Sequence, residues 1–419
     1  MDKFFLVSLL CLLIAAHGVT GTLTCDNIAM LDELANMDTE ENEIELSDIP
    51  SWTSERGGKV LVNVDSFGAA GDGESDDTEA FRKAWNVSCS TPNSVFLVPQ
   101  GRRYLVNATK FIGPCKGTLI IQIDGTIVAP DEPKNWDSKL ARVWLDFSKL
   151  EKAVFQGAGV IDGSGKKWWE ASCKKNKSNP CKGAPTALTI DSSSGIKVKG
   201  LTIQHSQQIH FTISRCNSVR IYGVKVSSPD DSPNTDGIHI SESTNVIIQD
   251  SKIGAGDDCI SIVNASSNIK MKRIFCGPGH GISIGSLGKD NSTGIVTKVI
   301  LDTAVIKDTT NGVRIKTWQT SAVEISEIMY QNISGTTRSA KAIQFACSDT
   351  VPCSSLVLSN VDLEKQDGTV ETYCHSAQGF GYGVVHPSAD CLNSSDNTSE
   401  VITEPITVEE EEDTHHTEL

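Results

Sequence analysis

Asp236-Gly237-Ile238-His239-Ile240, Asp258-Cys259-Ile260-Ser261-Ile262 and His280-Gly281-Ile282-Ser283-Ile284 are copies of one pattern, and Asn311-Gly312-Val313-Arg314-Ile315 is a fourth. The first three begin at 236, 258 and 280, a constant step of 22 residues. A second pattern runs out of phase with them. Ile196, Val219, Val246 and Ile269 open segments that close seven residues later at Ile203, Val226, Ile253 and Cys276, and the pattern returns from Val299 to Ile306. Short alternating apolar runs bounded by Gly, Asn, Asp and Ser indicate strands. Two such runs in every period of twenty-odd residues predict an all-β parallel β-helix, a solenoid in which each coil buries its inward side chains against its neighbours. Stacked strands lie about 4.8 Å apart, so Asp236, Asp258 and His280 form a ladder close enough to act on one substrate bond.

The 419 residues suit one long domain, because a solenoid core grows along one axis. The amino terminus, with an apolar run from Phe4 to Ala16, reads as a cleaved secretory signal over 1–21 and is too short to span a membrane. An acidic leader over 22–55, a β-helix domain over 56–392 and an acidic tail over 393–419 complete the organisation. The net charge of −16 belongs to the ends: residues 22–50 hold nine acids and residues 398–419 eight, with no Lys or Arg in either, which leaves +1 for everything else. Those ends read as solvated segments, and the near-neutral body need not repel a polyanion. Neither a nucleic-acid partner nor a membrane partner is expected, and the protein is expected to be a monomer.

Without Cys11 in the signal, twelve cysteines remain, an even number that suits an oxidising compartment. Cys173/Cys181, Cys347/Cys353 and Cys374/Cys391 have the short spacings of local staples. Sequons at Asn86, Asn107, Asn176, Asn264, Asn291, Asn332, Asn393 and Asn397 agree with secretion. After the leader, the glycine-rich turn Phe67–Gly73 feeds a helix with Asp76 and Glu79 spaced as a capping box and Ala80, Phe81, Ala84 and Trp85 on its apolar face. This helix would cover the open end of the stack. Strand patterns run from about Leu119 to Leu363, interrupted by a cationic loop from Lys166 to Lys182.

Asn234-Thr235-Asp236, Gly256-Asp257-Asp258, Gly279-His280-Gly281 and Arg314-Ile315-Lys316 occur in that order. In order and spacing they resemble the motifs of the polygalacturonases, pectin-hydrolysing glycosidases of the right-handed parallel β-helix class, and their flanks resemble the plant branch. The resemblance runs from about Val64 to Leu392. It implies Asp257 as general acid, with Asp236 and Asp258 positioning and deprotonating the water, and hydrolysis with inversion without metal or other cofactor. An inverting pair stands about 6.5–9.5 Å apart. A lone Asp in a solenoid commonly caps a turn, but three carboxyls brought together by two coils cannot all ionise comfortably, so one should hold a proton at mildly acid pH.

The ladder places His280 above Asp258, where it would bond a catalytic carboxylate. Arg314 and Lys316 share a strand face, and the polygalacturonate substrate implied by the resemblance carries a carboxylate on each sugar for them to bind. Many polygalacturonases have a Tyr just before a cysteine where this chain has Ile343-Gln344-Phe345-Ala346-Cys347; Tyr330 and Tyr373 are the candidates to replace it. Gly281-Ile282-Ser283-Ile284-Gly285 matches a serine-hydrolase elbow, but that motif needs a helix after the turn, and here a strand pattern continues. The terminal His416-Thr417-Glu418-Leu419 lacks the acid that a retention signal carries at its second position, so secretion is the better reading. Two other readings compete with hydrolysis: a Ca²⁺-dependent pectate-lyase-like eliminase, with the acids as cation ligands, and a non-catalytic pectin-binding β-helix.

Overall fold

The computed structural model describes residues 59–393 apart from 319, 320 and 366, and only the backbone of Asn291. The expected signal, leader and almost all of the tail lie outside the described residues. The chain divides into two compact units, one ending at Ser321 and the next beginning at Ala322.

In the first unit the out-of-phase columns are in register as the sequence predicts. Ile196, Val219, Val246, Ile269 and Val299 pair in succession, as do Ile203, Val226, Ile253, Cys276 and Ile306. All pairings are parallel, and the chain forms a right-handed parallel β-helix. The two columns belong to two walls of the coil, which merge in the strand Ser266–Cys276. Its first half pairs with Thr244–Gln249 and its second with Lys252–Gly254.

A further wall runs through Thr109–Ile112, Val143–Ser148, Thr186–Asp191, Phe211–Ser214, Ile238–Ser241, Ile260–Ile262, Ile282–Leu287 and Val313–Thr317. Ile213, Ile240 and Ile262 point inward and are fully buried, each worth roughly 1.5–3 kcal/mol against exposure. The alternate positions Thr212, His239, Ser261, Ser283 and Arg314 form one outer row.

Strands begin earlier than expected. Val60–Asn63 pairs with Ser94–Val98, which pairs in turn with Ile120–Ile123. The helix between them, Thr78–Ser90, buries Ala80, Phe81, Ala84 and Trp85. Trp85 lies 5.2 Å from Phe111 and 5.5 Å from Phe147 between ring centroids. The expected capping box is not formed. Asp76 accepts the Thr78 N–H, but Glu79 pairs with Arg82. Asp77, at the helix start, takes the N–H groups of Ala70 and Gly71 and so fastens the glycine-rich turn.

The second unit holds one parallel sheet of Ser326–Thr337, Cys353–Lys365 and Ala377–His386 and another of Lys341–Ala346 with Glu371–His375. Tyr330 packs near Phe345 at 6.2 Å, and the Lys341 ammonium stands 4.5 Å over the Tyr373 ring.

Disulfides join Cys89–Cys115, Cys173–Cys181, Cys259–Cys276, Cys347–Cys353 and Cys374–Cys391, the three local staples among them. The even cysteine count does not extend to complete pairing. Cys216 is a buried free thiol, packed as an apolar core residue, and Cys25 lies outside the described residues. Among the described residues no helix is long and apolar enough to cross a membrane.

Candidate active site

The site occupies the outer row and the turns that feed it, all within the first unit. Those turns are tight. A Cβ on Gly256, just before Asp257, would stand 2.0 Å from the Ser232 carbonyl oxygen. Gly281, just after His280, has φ +89° and a carbonyl oxygen of the next coil in the same place, a conformation that favours glycine. Buried Thr235 links its hydroxyl to the Ser232 carbonyl and accepts the Gly256 N–H, tying the Asp236 turn to the Asp257 turn.

The pairing Ile238↔Ile260↔Ile282, continued two residues back, stacks Asp236, Asp258 and His280 as the 22-residue step predicts. The side chains then choose partners that register alone does not fix. His280 does not bond Asp258; its Nδ1 lies 3.0 Å from Asp257 Oδ1, which also accepts the Asp258 N–H at 2.8 Å. Asp258, with only 3% of its side chain exposed, takes Arg314 Nη2 on one oxygen at 2.9 Å and Lys316 Nζ on the other at 3.0 Å. Arg314 Nε donates to Ser283 at 2.9 Å. Both cations expected to hold a substrate carboxylate thus already hold one of the protein's own.

The model of the glycosyl hydrolases of family 28 matches residues 89–334 and 319–380. This chain belongs to glycosyl hydrolase family 28. As a family 28 chain it is a glycoside hydrolase, and it is 40% identical to a probable polygalacturonase of Arabidopsis thaliana, over 94% of this chain and 95% of that one. It is 41% identical to a polygalacturonase of Juniperus ashei, over 80% and 74%. Among solved structures the exopolygalacturonase of Thermotoga maritima superposes with a TM-score of 0.66 at 18% identity, over 78% of this chain and 91% of that one, which supports the β-helix.

The three carboxyls of this candidate site are held unequally. Burial, together with the charges of Asp257 and Asp258, pushes Asp236 well above the usual carboxylate range, with the Ser261 hydroxyl and Lys316 acting against the shift. Burial also acts to raise Asp257, but the hydrogen bond and charge of His280, joined by the Asp258 N–H and the charge of Lys316, together hold this carboxyl below its ordinary value. Of these two carboxyls Asp236 is therefore the one that takes up a proton first as pH falls, and it is an acceptor only above that point, although the resemblance gives the acid role to Asp257. Asp257, Asp258 and His280 offer ligand atoms within 4.8 Å of one another, yet they do not suit a cation. Two cationic side chains already fill both oxygens of Asp258, and the near ring nitrogen of His280 is engaged by Asp257.

Motif reading overlooked His210. It is fully buried, and both its backbone N–H and its Nδ1 lie 2.9 Å from the Asp236 carbonyl oxygen, while Nε2 lies 2.7 Å from Ser228 Oγ. A carbonyl can only accept, so Nδ1 carries the hydrogen and Nε2 takes the serine proton. Burial pushes this imidazole from the ordinary 6.5 down to about 4. The unfolded chain binds the proton first as pH falls, so the stability from neutral His210 is present above about pH 6.5 and is lost towards pH 4. Urea unfolding should show the wild type losing about 2 kcal/mol more between pH 7 and pH 5 than His210→Gln does. Equal losses would mean that His210 is not held neutral.

Proposed function

We propose that this protein is a secreted, monomeric enzyme that hydrolyses the α-1,4 bonds between galacturonic acid units of pectin, with inversion and without metal. The observation that carries this reading is the meeting of three carboxyls with Arg314 and Lys316 on one outer sheet face. Asp257 is the acid. It shares a hydrogen bond with His280, and when the imidazole is protonated the pair holds a proton that moves to the glycosidic oxygen as the C1–O bond breaks.

Asp236 is the base that takes a proton from the attacking water. Asp258 suits that task less well, because both its oxygens are occupied and one lies within 4.8 Å of Asp257; an inverting pair needs about 6.5–9.5 Å. Asp258 instead anchors Arg314 and Lys316, whose remaining N–H groups meet the carboxylate of the sugar. That the relatives are named polygalacturonases supports this substrate.

Product analysis on polygalacturonate with excess EDTA tests the reading. Reducing ends should accumulate at the rate seen without chelator and without ultraviolet-absorbing unsaturated product. Activity lost to EDTA, restored by Ca²⁺ and accompanied by unsaturated ends would make the protein a lyase. Binding without cleavage would make it a pectin-binding β-helix.

A further inference from the structure

Among the described residues Asp236 differs from the other two carboxyls in having no cation or imidazole within hydrogen-bond distance. Among the described residues its carboxyl takes a single hydrogen bond, from Ser261 Oγ to Oδ2 at 2.7 Å. Ser261 Oγ is in turn 2.8 Å from Nδ1 of His239, one coil away at the same register position. His239 Nδ1 is itself 4.0 Å from Asp236 Oδ2, so the ring reaches the carboxyl only through the serine. A hydroxyl has one proton to give. If Ser261 gives it to Asp236, the ring nitrogen must donate to the serine oxygen, and an Nδ1–H there leaves the hydroxyl no other use for its proton.

We propose that His239 and Ser261 are positioning residues for Asp236, a two-link chain that commits the serine proton to Oδ2 and presents this carboxylate to the attacking water as an acceptor. The assignment rests on the hydrolase reading, with Asp236 as base. Neither residue belongs to the motif residues that marked the site; they join it through the outer row. The charges that act on Asp236 are Asp257, Asp258 and Lys316, and those that act on His239 are Asp258 and Lys316. Lys316 is bonded to Asp258, so among the described residues the serine is the one hydrogen-bonding contact that stabilises the negative charge of Asp236. Burial keeps His239 neutral, pushed down to about 4, as a donor that adds no charge needs to be.

The test is the pH profile of kcat on polygalacturonate, with the Asp236 carboxyl titrated in parallel by ¹³C NMR and assigned by its loss in Asp236→Asn. Without the serine donor the ionised form is harder to reach. Ser261→Ala should therefore move the acid limb and the NMR midpoint upward together by about one pH unit, the worth of one hydrogen bond to a charged group, with KM little changed. His239→Phe should move both in the same direction, and by no more in the Ser261→Ala background than Ser261→Ala does alone. His239→Asn, whose side-chain N–H stands where the Nδ1–H stands, should restore the wild-type limb. A lower kcat with unmoved limb and midpoint, or shifts that add in the double variant, would overturn the proposal and leave the pair as structural supports. The NMR midpoint reports on the chain even if the wild type cleaves nothing, an outcome that would defeat the hydrolase reading separately.

Discussion

Asp257→Asn should fold, bind oligogalacturonate and turn it over at least about 10²-fold more slowly, the low end of what a positioned general acid contributes. The amide keeps the shape of the carboxyl and can still meet the Asp258 N–H, but it has no proton to pass to the glycosidic oxygen. The loss should fall on kcat, because Asp257 acts on the bond being broken, with KM close to that of the wild type. Initial rates over a range of substrate concentration, with melting temperature as the control for folding, check this. A folded Asp257→Asn protein with near-normal kcat would remove the residue from the chemistry and would make Asp236, whose protonated form burial favours, the better acid.

Lys316→Met should cost stability as well as affinity. The lysine compensates one oxygen of Asp258, and that carboxyl is almost fully withdrawn from water. Removing one partner of such a pair leaves a buried charge short of compensation, at a cost of about 3 kcal/mol. In an Asp258→Asn background the same substitution should cost much less, because no charge remains to be stranded, and the difference between the two measures the coupling. Urea unfolding of the four proteins reads it. Affinity for oligogalacturonate should fall in Lys316→Met, and the fall should shrink as salt rises. Equal stability costs in both backgrounds would mean that Asp258 does not depend on the lysine.

The sequence made the period legible because inward residues of a β-helix must be apolar at every coil, and Ile196, Val219, Val246, Ile269 and Val299 repeat with little insertion between them. The first strands were missed for the converse reason. A helix lies between Val60–Asn63 and its partner Ser94–Val98, which hides the step. Register also fixed the ladder of Asp236, Asp258 and His280, since a repeat specifies which backbones are neighbours. It does not specify rotamers. His280 turned to the carboxyl beside the one it stacks on, and Arg314 and Lys316 found a buried acid before any substrate. His239 and Ser261 stood in plain view in the repeated pattern, but a polar residue on an outer row means little until its neighbours are known. His210 sits outside every motif, and only its two bonds to the Asp236 carbonyl mark it.

The disulfide Cys259–Cys276 begins one residue after Asp258 and crosses the interior to the strand in which the other two walls merge, with both cysteines fully buried. Coils of a solenoid hold only their neighbours, so such stacks loosen from their ends inward. The bond spans 17 residues, fewer than one coil, so it ties the turn that carries the acids to the interior of its own coil. The turn that carries Asp257 and Asp258 is thereby braced from inside, whatever the coils nearer the ends do.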